Sequence, residues 1–98
     1  MKTKAIGLCA GRHEMPVSEY IYPQVIEDPT NTNALELTAF RFFHKADSDD
    51  VTEVSLYVTG MSVALAAFIK VAAEFGWIGL TLYHYDAKSG EYYPQMMW

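Results

Sequence analysis

The sequence predicts an α/β fold: a small Rossmann-like sheet with two main helices and an antiparallel C-terminal hairpin. Three observations lead there. Between Glu53 and Tyr85 an alternating apolar strand, a largely apolar helix and a second alternating strand follow one another, the order of a βαβ crossover, which builds parallel sheet. A second helical pattern precedes that unit, and a glycine-containing turn follows it. The composition, 51% hydrophobic and 19% charged over 98 residues, is that of a compact soluble domain. A chain of this length buries roughly two-thirds of its unfolded surface, so a single domain over residues 1–98 needs no disulfide or metal staple. Element order alone does not set strand order, and a ferredoxin-like α+β arrangement is the alternative.

Lys4 to Ala10 is a run of small and apolar residues ended by Gly11, the pattern of a buried strand closely approached by another element. After the loop Gly11 to Pro16, Glu19 to Ile26 is rich in β-formers, but Pro23 removes a ladder donor and confines it to an edge strand or extended arm. Asp28 to Asn33 is a cluster of turn and cap residues. Asn33 with Glu36 three positions later reads as a capping box opening a helix through about Lys45. Leu35, Ala39, Phe42, Phe43 and Ala46 share one side of that helix, and Leu37 and Phe40 widen the stripe. Asp47-Ser48-Asp49-Asp50 reads as a solvated acidic break. From Val51, Val54, Leu56 and Val58 alternate with Ser55 and Tyr57, and the strand stops at Thr59-Gly60. Ser62 to Phe75 carries only Lys70 and Glu74 as charges, so this helix is covered on most sides, with Gly76 as its C′ residue. Ile78, Leu80 and Leu82 alternate as the next strand, and Asp86 to Gly90 turns the chain back through Glu91-Tyr92-Tyr93, a strand that Pro94 and the Met96-Met97-Trp98 tail end at a sheet edge.

Charge and cysteine usage exclude several functions. Seven Lys and Arg residues, none adjacent to another, in a chain of net charge −5 lack the footprint for duplex nucleic acid. No run approaches eighteen apolar residues, so no membrane association is expected. The lone Cys9 precludes an internal disulfide and fits a reducing, cytoplasmic setting. His13, His44 and His84 show no metal-ligand spacing, and neither metal nor cofactor is expected. Cys9 with His13 could form a nucleophile pair, although a small cysteine in an apolar run is ordinarily inert core.

The candidate site comes from the general placement of ligands outside the carboxyl ends of α/β strands, where helix N-termini favour anions. Two loops qualify: Gly11-Arg12-His13 after the first strand, and Thr59-Gly60-Met61-Ser62 before the apolar helix. Arg12, Gly11, Thr59, Gly60 and Ser62 are the ligand-binding candidates for a small anionic, nucleotide-like molecule, and His13 is the catalytic candidate. Arg12 and the helix end would hold phosphate charge while His13 exchanges a proton, which allows metal-independent phosphodiester cleavage. Each position has a plainer explanation: Ser62 and Thr59 as helix caps, Gly60 as a turn, and Arg12 paired with Glu14. His84 between Tyr83 and Tyr85 reads as cross-strand packing, and His44 as a helix-end contact. The tyrosines lie almost wholly in strands, and those of the hairpin, beside Met96, Met97 and Trp98, form an aromatic patch of the kind that mediates homodimerisation.

The segment Leu56-Tyr57-Val58-Thr59-Gly60-Met61-Ser62-Val63-Ala64-Leu65 resembles the strand-to-helix step of CRISPR-associated Rossmann-fold domains and the small ring-nuclease-like proteins near them. The resemblance implies a dimer whose copies face a cyclic oligonucleotide across the symmetry axis, with Thr59, Gly60 and Ser62 touching it and Arg12 or His13 completing the site. Met61 and Val63 stand near the positions where that family commonly has a second glycine and a lysine. That departure weighs toward the competing function, a small protein-interaction or adaptor module with no small-molecule ligand, acting through its tyrosine- and methionine-rich hairpin.

Overall fold

The computed structural model describes residues 2–10, 15–23, 26–59 and 62–98. Along the chain run β1 (Thr3–Cys9), β2 (Tyr20–Tyr22), α1 (Thr32–Ser48), β3 (Glu53–Val58), α2 (Ser62–Glu74), β4 (Gly79–Asp86) and β5 (Glu91–Met96). The strands form one sheet in the order β2-β1-β3-β4-β5; the first four are parallel and β5 is antiparallel to β4. This is the expected Rossmann-like α/β architecture. Four parallel neighbours leave no place for the split βαβ units of a ferredoxin-like sheet.

The register sorts the strand residues by face. Ile6 lies beside Leu56 and Leu56 beside Leu82, and Val54 lies beside Leu80; all five are buried. On the opposite face Gly7 lies beside Tyr57, and Tyr57 beside Tyr83. Both helices cover the aliphatic face. The steps from β2 to β3 and from β3 to β4 run the same way across the sheet, so right-handed crossovers bring α1 and α2 to one side. There Leu35, Ala39, Phe43 and Ala46 of α1 and Ala64, Ala67, Phe68, Val71 and Ala72 of α2 are buried. The Phe43 ring lies 5.0 Å from Phe68 and 5.5 Å from Phe75. The step from β1 to β2 runs the other way, and Met15 and Tyr20 lie over Gly7 on the tyrosine side.

Several element ends differ from expectation. Asn31, not Asn33, caps α1: its Oδ1 accepts the Ala34 N–H at 3.1 Å, because the turn around Asp28 and Thr30 stops the chain two residues earlier. Leu37 and Phe40 do not join the buried stripe and stay exposed. The acidic break is partly helix, with Asp47 and Ser48 in the last turn, Asp49 as C-cap and Asp50 left-handed at φ 60°. Asp47 accepts a hydrogen bond from Trp77 Nε1 at 2.8 Å. Gly76 does not take the left-handed C′ conformation, whereas Gly90 does so in the hairpin, at φ 72°. Pro94 sits inside β5 instead of ending it, which an edge strand tolerates because one row of its N–H groups has no ladder partner. Among the described residues no helix is long and apolar enough to cross a membrane.

Candidate functional site

β1 and β3 lie side by side, and the chain leaves them in opposite directions, from β1 toward β2 and from β3 toward β4. Their carboxyl ends therefore form the switch point at which open α/β sheets leave a crevice. The Thr59 hydroxyl donates to the Cys9 carbonyl at 3.1 Å and ties the two strand ends together. Ala10 N–H donates to the Tyr22 carbonyl at 3.1 Å, which fixes where the β1–β2 connection departs. Ser62, exposed, is the first residue of α2 at this same end, where the first N–H groups of a helix have no intrahelical partner. Thr59 and Ser62 are thus brought to one sheet end. Gly11, Arg12, His13 and Gly60 lie outside the described residues.

Cys9 is a buried thiol at the end of β1, and its relation to His13 likewise lies outside the described residues. His84 Nε2 and Gln95 Oε1 are 2.8 Å apart across the β4–β5 pair, and the His84 ring lies 5.4 Å from Tyr93. The His44 ring lies 5.9 Å from Phe40, one turn earlier on α1. Among the described residues no group of three His, Cys, Asp or Glu could hold a metal ion.

Beside the switch point the sheet carries a tyrosine layer. Tyr57 stacks on Tyr83 at 4.8 Å and meets Tyr92 edge-on at 5.1 Å, while Tyr85 and Tyr92 are 5.3 Å apart. The Tyr92 hydroxyl is buried without a hydrogen-bond partner. Burial raises the Tyr57 and Tyr92 phenols above their ordinary pKa, with neighbouring tyrosines adding to it. One grouping escaped the sequence reasoning altogether: Lys2, Lys4, Arg41 and Lys45 line a common cleft at the other end of the sheet. The i, i+4 spacing of Arg41 and Lys45 and the i, i+2 spacing of Lys2 and Lys4 were its only signals. The chain matches no family model, no curated protein and no solved structure.

Proposed function

We propose that the protein binds a small anionic, nucleotide-like ligand at the carboxyl ends of β1 and β3. Gly11, Arg12, Thr59, Gly60 and Ser62 hold it, and His13 supplies the proton-transfer group for metal-independent phosphodiester cleavage. The observation that carries the reading is the strand order, which makes the β1/β3 boundary the switch point, bridged by the Thr59–Cys9 hydrogen bond. The α2 N-terminus beside it favours negative charge. Within this ligand class the resemblance around Leu56–Leu65 points to a cyclic oligonucleotide. In cleavage, water attacks phosphorus as His13 takes its proton, Arg12 holds the phosphoryl charge, and the P–O bond to the leaving group breaks as the His13 imidazolium returns that proton to the departing oxygen.

Thermal-shift screening of mono-, di- and cyclic oligonucleotides, followed by product analysis, tests this. Arg12→Ala is expected to cost roughly 1.5–3 kcal/mol of affinity, about one to two decades, with little change in melting temperature. His13→Ala keeps most affinity and loses about 10²–10⁴ in rate. A panel in which no member stabilises the wild-type chain overturns the proposal. The outcome would then favour the interaction-module function, whose own support is the sheet face opposite α1 and α2, which carries Tyr57, Tyr83, Tyr85 and Tyr92.

A further inference from the structure

Four of the chain's seven Lys and Arg side chains line one open cleft of about 380 Å³. Lys2 and Lys4 come from the start of β1, Arg41 and Lys45 from one face of α1, and Asp49 and Val51 from the segment before β3. The cleft is therefore at the amino-terminal end of the sheet, opposite Thr59 and Ser62. Phe42, Ala46 and Val51 supply its apolar wall. Glu19 pairs with Lys4 at 2.8 Å and Asp49 with Lys45 at 3.0 Å, and Lys2 Nζ donates to the Asp49 carbonyl at 3.0 Å.

Four cations against two carboxylates leave two uncompensated positive charges here, in a chain whose net charge is −5. The field of these cations converges: Asp49 is held below the usual carboxylate range first by the hydrogen bond and charge of Lys45, then by Lys2 and Lys4. Lys45 and Lys2 have a structural task, since cations stabilise the C-terminal end of a helix. Lys4 has its ion pair. Arg41 has neither: it makes no ion pair among the described residues, yet it lines the cleft. A cationic recess with low-dielectric walls concentrates small anions, and a guanidinium is suited to bidentate contact with phosphate oxygens.

We propose that this cleft binds a small phosphate monoester, its dianionic head on Arg41 and the neighbouring ammonium groups and its compact apolar or aromatic body against Phe42 and Val51. This second site is independent of the β1/β3 switch point. The volume suits a ligand of that size.

The test titrates the ¹⁵N-labelled full chain with phenyl phosphate, inorganic phosphate and phenol at low and high salt. Amide shifts are expected around Lys2–Lys4, Arg41–Ala46 and Asp49–Val51. Phenyl phosphate should bind several-fold more tightly than either fragment and weaken as salt rises. Two single-charge variants act in opposite directions. Arg41→Gln should weaken phenyl phosphate about tenfold, the loss of one charge-assisted hydrogen bond. Glu19→Gln releases Lys4 and should strengthen it by about two- to fivefold, the range of an exposed ion pair. The same spectra report whether each variant is folded. Shifts centred on Thr59 and Ser62, equal affinity for phenyl phosphate and inorganic phosphate, or variants that move affinity in the same direction would overturn the proposal.

Discussion

A methyl group at Gly7 would come within 2.5 Å of Tyr20 Cδ1 and 3.2 Å of Met15 Sδ, so the missing side chain is what lets the Tyr20 ring and Met15 pack directly on β1. Gly7→Ala is expected to cost about 1–3 kcal/mol, the range for overpacking, whereas Gly79→Ala, with its nearest atoms at 3.4 Å, should change stability by less than about 1 kcal/mol. Urea denaturation of the two variants checks the contrast. Tyr22 offers a test in pH. Its hydroxyl donates to the Leu35 carbonyl at 2.6 Å, and burial, assisted by Cys9 and Glu36, pushes the phenol up to about 12. The unfolded phenol ionises near 10, so between these values the folded chain holds a proton that the unfolded chain has lost. The stabilisation is complete below pH 10 and disappears as pH rises through about 12, with a slope of at most about 1.4 kcal/mol per pH unit from this group. Tyr22→Phe should flatten that decline in alkaline denaturation curves, leaving the smaller parts due to Tyr57 and Tyr92, and cost about 0.5–1.5 kcal/mol at neutral pH.

At the scale of elements, α1 shows where sequence patterns mislead. Asn31 and Asn33 are both cap-forming residues, and only Asn33 is followed by Glu at the third position, yet Asn31 holds the Ala34 N–H. The deciding contacts are the hydrogen bonds from the Thr30 N–H and hydroxyl to Asp28, at 3.1 and 2.6 Å, which close the preceding turn. Those bonds hold the Asp28 carboxyl below its usual range, the Thr30 hydroxyl contributing most. Asn31→Ala should cost about 1 kcal/mol by thermal or chemical denaturation, and Asn33→Ala less than about 0.5 kcal/mol. The seam between α1 and α2 is aromatic, with Phe43 and Phe68 both almost fully buried. Phe68→Ala leaves a cavity under both helices and should cost about 3–5 kcal/mol in the same measurement.

Across the whole molecule the two sheet faces are unlike. α1 and α2 share one, and most of the apolar surface of α2 is satisfied within the subunit: its exposed positions Ser62, Ala66, Lys70, Ala73 and Glu74 are small or charged. The case for self-association therefore rests on the other face, where Tyr57, Tyr83, Tyr85, Tyr92 and Met96 align by register and, among the described residues, no helix packs. A second copy stacked there would cover an aromatic surface built from tyrosine rings. Sedimentation at micromolar concentration is expected to report a dimer, and Met96→Glu, at a residue 79% exposed on the edge strand, should dissociate it while leaving the melting temperature nearly unchanged. An 11.1 kDa species alone in the wild-type chain would refute dimerisation.

The sequence by itself determined what depends on near neighbours. Alternation at Val54–Val58 and Leu80–Leu82, the apolar run of β1 and the stripe Leu35, Ala39, Phe43 are local periodicities, and a strand, helix and strand of this length imply a parallel crossover. Thr59 and Ser62 could be placed at a strand-to-helix step for the same reason. Only the tertiary structure decided that β1 stands between β2 and β3, because strand order depends on pairings such as Ile6 with Leu56 that no local spacing encodes. That choice makes the β1/β3 boundary the switch point. It also gathers Lys2, Lys4, Arg41 and Lys45, separated by up to some forty residues of chain, into one cleft: an acidic sequence conceals a cationic site when its few positive charges meet only through folding.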